Sequence, residues 1–257
     1  MRAFHRDYYG PNNAVIGIAG DVQAKQVFAL IEKYFGAIPA RPVPASTDFS
    51  EPLNTKSRCA DQTDALARVP AVAVGWKMPP RGHADHVAMS VLARVLVGDN
   101  ASALYQGLVK GREMALQVDG GMNWPLGNAF DFDGPTLLTL FALYKPNTDA
   151  DQFVAAVEAE IAKITERGVA AETLARVKTK MIADYYNNLE PFISRADTVA
   201  KTQAMWGDAK VVNQIPQWIA AVDSAAMQRA ARTYLVGGNR SVIDRKPAPP
   251  SAARSTP

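Results

Sequence analysis

Residues 1–39, MRAFHRDYYGPNNAVIGIAGDVQAKQVFALIEKYFGAIP, read as the end of a helix, a tight turn, a short strand, a second helix and a stop. Met1–Tyr9 is helix-like. Pro11-Asn12-Asn13 ends it, because proline disfavours helical geometry in the residue before it and asparagine tolerates turns. Ala14–Ala19 (AVIGIA) is an apolar run bounded by turn residues, which predicts a strand buried on both faces. Gly20-Asp21 closes it, with Asp21 as the expected cap of the next helix. In that helix Val27, Phe28, Ile31, Tyr34 and Phe35 form one apolar stripe, and Gly36 marks its end. A folded domain rarely begins inside a helix, so the stretch is expected to be the end of a larger unit.

The same order of elements recurs near the other end of the chain. At one constant offset Met1 meets Met227, Arg6 meets Arg232, Tyr8 meets Tyr234 and Asn13 meets Asn239. These four identities are weak alone. In both places, however, a helix ends in Tyr, passes a Gly/Pro/Asn turn and enters a Val/Ile run. Either both close the same type of domain, or they are two unrelated helix–turn–strand units. The repeat reading makes 1–39 the closing part of a preceding, truncated domain and 58–247 a complete second copy.

Between the two ends, residues 40–57 carry Pro42, Pro44 and Pro52 without periodicity and are expected to be a linker. Val72, Val74, Trp76 and Met78 alternate as a strand. His83–Val97 is a helix, interrupted by Gly98-Asp99-Asn100, with Asn100 as cap of a shorter helix through Leu108. Met114, Leu116 and Val118 alternate as another strand, and Gly120–Asp133 is rich in turn residues. Thr136–Tyr144 is a nearly continuous apolar strand. Asp149 caps a helix that stops at Gly168. Ala171–Leu189 follows, then a helix opened by Pro191 and broken at Gly207, one capped by Ser224, and a last strand from Arg240. Lys246–Pro257 is low in complexity and expected to be a tail. Strand pairs separated by helices, with helices late, predict an α+β fold with a mostly antiparallel sheet. No glycine-rich phosphate loop follows a strand.

Composition narrows the function. The 257 residues are 48% hydrophobic and 21% charged, with a net charge of +3 and scattered basic residues, so no nucleic-acid surface is indicated. The single Cys59 excludes an internal disulfide framework and lacks the partners of a thiol nucleophile. No stretch approaches the ~18 apolar residues of a membrane span.

The junction FHRDYYGPNNAVIGIAGDVQAKQVFALIEKYFGAIP, with PAVAVGWKMPP and VLARVLVGDNASALYQGLVKGREMALQV, resembles the M16 metallopeptidases, the insulinase, pitrilysin and processing-peptidase family. The resemblance covers nearly the whole chain except the tail. It implies the LuxS/MPP-like metallohydrolase fold, with helices on one face of the sheet and domains paired around an enclosed chamber. Family activity uses H-x-x-E-H on a helix, whose His residues bind zinc and whose Glu activates water. This chain has only His5, His83 and His86, and Gly82-His83-Ala84-Asp85-His86 is one residue short with Asp for Glu. The expectation is two polar residues in a solvated first helical turn rather than an incidental metal site. The family's substrate-clamping Arg and Tyr, seven residues apart, fall on Val109 and Leu116, neither of which donates a side-chain hydrogen bond. Arg112 belongs to another position of that pattern.

Glu158 and Glu160 are read as solvated helix face, and Trp124 and Phe130 as loop aromatics packed over a sheet edge. No catalytic or metal residue is therefore assigned, and the substrate-binding residues stay open. The resemblance implies a non-catalytic portion that walls a peptide chamber and supports a zinc-bearing domain elsewhere. The alternative is a stand-alone inactive subunit acting through a partner. Zinc is implied for the parent family, peptide and the zinc-bearing domain are the implied partners, and the periplasm is the implied compartment, with the cytoplasm as the alternative.

Overall fold

The computed structural model describes residues 1–249. Its helices are α1 Arg2–Tyr8, α2 Ala24–Phe35, α3 His86–Val97, α4 Ala150–Arg167, α5 Ala171–Asn188, α6 Phe192–Trp206, α7 Ile215–Ala221 and α8 Ser224–Tyr234. Its strands are β1 Arg58–Asp64, β2 Ala71–Lys77, β3 Ala115–Met122, β4 Leu137–Tyr144 and β5 Arg240–Pro247. The chain divides into two compact units, Met1–Phe49 with Met181–Gln217, and Ser50–Lys180 with the residues from Trp218 onward.

The larger unit is built on one sheet in the order β1-β5-β2-β4-β3. The β5–β2, β2–β4 and β4–β3 pairs are antiparallel, and β1 joins β5 in parallel. Period-two alternation sends Val72, Val74 and Trp76 of β2 and Leu138, Leu140 and Ala142 of β4 to one buried face. Helix α3 is buried along nearly its whole length. On α4, Phe153 stacks 6.1 Å from Tyr144 of β4. A buried carboxylate also lies on this face: Asp244 Oδ1 accepts from the Tyr144 hydroxyl at 2.6 Å. Burial and that neighbour both raise the Tyr144 pKa, so the phenol stays protonated and donates.

One strand carries no sequence signal of its own, and the alternation expected in another is corrected by a bulge. β1 (RCADQTD) has no apolar alternation; it is strand because β5 supplies a partner from Arg58↔Ser241 to Asp64↔Pro247. In β3 the register shifts between Ala115 and Gln117, placing Leu116 at a bulge. Ala115 therefore points inward and Leu116 is 53% exposed, opposite to the simple alternation. β3 also continues through Gly120 and Gly121 to Met122. Gly120 has φ +150°, and a Cβ there would stand 2.1 Å from Thr139 O, so only glycine lets the strand pass.

The caps shifted by a residue or two. Asp21 caps nothing, since α2 begins at Ala24 with Gln23 as its uncapped boundary. Asp99, not Asn100, accepts from Ala101 N at 2.8 Å, and the piece beyond is a π-helix over Tyr105–Gly111. Asp223 accepts from Ala226 N at 2.6 Å, which frees the Ser224 hydroxyl to bond both N and O of Val169. Asp149 does cap α4, at 2.7 Å to Asp151 N, and Gly168 ends it at φ +74°. Lys246 and Pro247 belong to β5 rather than to a tail, and Ala248 N still bonds Asp64 O at 3.0 Å. The rest of the expected tail, from 250, lies outside the described residues.

In the smaller unit, α1 ends in a 3-10 turn over Pro11–Asn13. Residues 14–19 run extended but form no strand, which corrects the expected buried strand. An extended segment becomes a strand only through a neighbour's hydrogen bonds, and none of the described residues provides them. Val15, Ile16 and Ile18 are consequently 45, 52 and 48% exposed. Gly17 is pressed on α6: a Cβ there would lie 2.3 Å from Ala196 O. On α2 the stripe is poorly covered, with Phe28, Tyr34 and Phe35 exposed. Residues 40–57 hold no helix or strand, as expected.

Asn239 knots the larger unit. Its Nδ2 donates to Tyr234 O at 2.8 Å and to Lys77 O at 2.9 Å, and its Oδ1 accepts from Asn54 N at 3.2 Å. Truncation would strand three backbone groups in buried surroundings. We expect Asn239→Ala to cost about 2–4 kcal/mol of unfolding free energy. Urea titration followed by tryptophan fluorescence measures it; a loss below about 0.5 kcal/mol, the level of a neutral surface change, would contradict the knot.

Candidate functional site: the open face of the sheet

The second face of the sheet is lined by the odd-numbered positions of β2, β4 and β5. Register places Ile243, Ala73, Phe141 and Asp119 in one row, and Ser241, Gly75, Thr139 and Gly121 in the next. Ile243 is 49% and Leu137 43% exposed, whereas Val242 beside Ile243 is buried on the other face. Small residues in the middle and larger apolar ones around them make a shallow trough. Trp124 closes one end by stacking on Phe141, with centroids 6.1 Å apart. The middle of the surface offers apolar contact and backbone, and two ion pairs stand on its odd-numbered positions, Lys77 with Glu51 at 2.6 Å and Arg245 with Asp64 at 3.4 Å.

Trp124 is carried by the 123–136 loop, and the anchor of that loop is His86. Contrary to the solvated first turn expected, His86 is 1% exposed. Its Nε2 stands 2.7 Å from Ala129 O and its Nδ1 3.5 Å from Pro79 O, with Phe132 5.6 Å away. Arg81 adds an ion pair to Asp133 at 2.6 Å. Burial is the main cause that lowers the His86 pKa; the two carbonyls pull it up, and Arg81 and His83 push it further down. A neutral imidazole with Nε2–H donating to Ala129 O suits these surroundings. His83 is half-exposed, and its Nδ1 accepts from Asp85 N at 3.1 Å. His5 lies on α1, stacked on Tyr9 at 4.8 Å.

Among the described residues no three His, Cys, Asp or Glu side chains come together as a metal-binding group. His86 spends its ring on carbonyls, and Cys59 is exposed on β1 with Ser57 Oγ 3.8 Å away.

The segment bearing the two clamp positions is also plain. Val109 is half-buried in the π-helix, and Leu116 is the bulge residue. Arg112 pairs instead with Glu160, 3.6 Å away. Glu160 was expected on a solvated face but is 6% exposed, held also by Lys163 at 2.7 Å. A Cβ on Gly107 would sit 2.7 Å from Glu160 Cδ, so this glycine lets the carboxylate reach the π-helix. Glu158 is bound to Arg240 of β5, at the rim of a pocket of about 290 Å³ between α4 and α8. Trp124 and Phe130 pack against Phe141 of the inner strand β4 and His86 of α3 rather than over a sheet edge. The clamping roles of His86 and Glu160 were not readable from spacing, because their partners Ala129 and Arg112 lie far off in the chain.

A five-stranded mixed sheet with helices on one face defines an α+β domain. The chain belongs to the M16 peptidase family: its residues 1–181 match the profile described as the peptidase M16 inactive domain. It is 27% identical over 195 residues to the zinc protease PqqE of Helicobacter pylori, covering 74% of this chain and 42% of that protein. The crystal structure of a protease from Helicobacter pylori superposes with a TM-score of 0.82 at 24% identity, over 96% of this chain and 58% of that one. The periplasmic protease PqqL from Escherichia coli superposes at 0.66 and 14% identity, over 89% of this chain and 25% of that one. Such structural likenesses establish the fold. The chain spans about half the length of the curated relatives it matches.

The buried His86 gives a pH dependence. Its folded pKa lies below the ordinary 6.5, so as pH falls the unfolded chain takes up this proton before the folded one. The histidine's effect is absent above that value, and stability is lost as pH drops below it. We expect urea midpoints to fall more between pH 7.5 and 5.5 in the wild type than in His86→Gln. Equal changes in the two proteins would refute the assignment.

Proposed function

We propose that this chain is the non-catalytic part of an M16-type zinc peptidase. It forms one wall of a peptide-binding chamber and supports a zinc-bearing M16 domain in the same or another polypeptide. The observation that carries this reading is the open sheet face: a trough of Ala73, Gly75 and Gly121 flanked by Phe141, Ile243 and Leu137, on a domain of the inactive class. An extended peptide laid on such a face gains apolar contact without acid–base chemistry. The same reading makes residues 1–39 the closing helix–strand–helix of a preceding M16 domain, 40–57 a linker and 58–247 a complete second domain.

Alone, the chain is expected to cleave no peptide even with added zinc. A zinc-supplemented assay on a fluorogenic peptide library tests this; robust cleavage abolished by a chelator would overturn the proposal. The compartment we propose is the periplasm, where the similar protease PqqL resides. Among the described residues no helix is long and apolar enough to cross a membrane. Osmotic-shock fractionation should release the native protein with periplasmic markers, and recovery with cytoplasmic markers would refute that placement.

A further inference from the structure

The carboxylates at the open face of the sheet are not treated alike. Glu51 is neutralised by Lys77 and Asp64 by Arg245. Asp119 of β3 is not: among the described residues no cation forms an ion pair with it. Its one hydrogen bond is local, Oδ1 accepting from Gly120 N at 2.7 Å. That bond fixes the carboxylate and leaves its charge unbalanced. Arg58, which acts on Glu51, stands on β1 at the opposite edge of the sheet. Four strand spacings of about 4.8 Å put it roughly 19 Å from β3.

The neighbours of Asp119 are aromatic. Register sets it directly opposite Phe141 of β4, so the two side chains leave the sheet side by side. Trp124 stacks on Phe141, 6.1 Å away with the ring planes 29° apart. Gly121 lets the indole fold back over β3: a Cβ there would lie 3.6 Å from Trp124 Cβ. The loop that carries Trp124 is held from behind by His86 on Ala129 O and by Arg81 on Asp133. Phe141, Trp124 and Asp119 are all partly open to water. Two ring faces, which attract cations, thus stand beside an unneutralised carboxylate. An apolar side chain laid there would desolvate the carboxylate without pairing it, and an acidic one would be repelled. A basic side chain satisfies both parts.

We propose that Asp119, Phe141 and Trp124 form a subsite for a basic side chain of a peptide lying extended on the open face. This rests on the chamber-wall reading above and adds which peptides the wall selects. The aliphatic stem of the Lys or Arg packs along Phe141 and Trp124, and its charged head meets the Asp119 carboxylate. Arginine is favoured over lysine, because a planar guanidinium stacks on a ring while its N–H fork reaches a carboxylate. Charge complementarity names the occupant: on a face whose other carboxylates are paired within the protein, the one left over sits where cations bind best.

The test uses the full chain and three fluorescent peptides of one extended, Thr- and Val-rich sequence, with arginine, norleucine or glutamate at the centre. Anisotropy titration at low salt is expected to show the arginine peptide binding about tenfold tighter than the norleucine peptide, with the glutamate peptide weakest. Asp119→Asn keeps an acceptor for Gly120 N and removes only the charge. It is expected to bring the arginine and norleucine peptides within about twofold of each other, with the melting curve unchanged. Added salt should shrink the preference of the wild type and not that of the variant. Trp124→Leu is expected to weaken arginine binding about threefold, and undiminished binding there overturns the aromatic part. Equal binding of the arginine and norleucine peptides by the wild type overturns the subsite and leaves the chamber-wall reading intact. A preference that survives in Asp119→Asn overturns the role of that carboxylate. Binding of none of the three peptides overturns the subsite and the chamber wall together.

Discussion

β5, the last of the described strands, lies between β1 and β2, and the rest of the larger unit depends on that insertion. β1 is too polar to be strand on its own account; it exists because β5 pairs with it. β2 obtains half of its ladder from β5 as well. Asn239 fixes the register from one end by joining Tyr234, Lys77 and Asn54 through a single amide. On the buried face, Asp244 and Tyr144 tie β5 to β4 across β2. A sheet whose inner strand arrives last closes only when the whole unit is present, so its contacts are of high sequence separation.

The two faces of this sheet divide the labour. One is filled by Val72, Val74, Trp76 and Leu140 under helices and carries the stability. The other is left with Phe141, Ile243 and Leu137 in partial contact with water, over a floor of alanine and glycine. Burying one large apolar side chain contributes roughly 1.5–3 kcal/mol, so keeping such a face open forgoes stability the unit could have had. The polar groups that could have offered chemistry are employed elsewhere: His86 holds the loop that carries Trp124, and Glu160 holds Arg112 against the π-helix. The middle of the open face therefore presents mainly shape and apolar surface. That fits a member of the inactive M16 class.

The smaller unit opens on a helix and a turn that no strand follows. Helix α1 and the turn form locally, down to the asparagine bond to the helix end, because their partners are near in the chain. Residues 14–19 form no strand, because no described residue offers them a hydrogen-bonded neighbour. Ile16 and Ile18 would each gain a contribution of the order given above if covered as Val242 is.

Local signals in the sequence determined much of this protein. Apolar alternation placed β2 and β4, apolar stripes placed α3 and α4, and Asp149, Gly168 and Gly207 marked helix ends where they stand. The repeat between Met1–Asn13 and Met227–Asn239 was legible because it is written in residue identity. The words around GPNNAV and ASALYQ carried the family. What the sequence could not decide is whatever depends on a partner distant in the chain. β1 is strand through β5, Leu116 faces outward through a bulge, and residues 14–19 lose strand character for want of neighbours. His86 and Glu160 look like surface polar residues until the Ala129 carbonyl and the Arg112 cation, both remote in sequence, meet them in the fold. Caps, periods and turns act within one or two turns of chain and so can be read directly. Edge pairing, bulges and buried polar contacts are set by which surfaces meet, and only the tertiary structure specifies that.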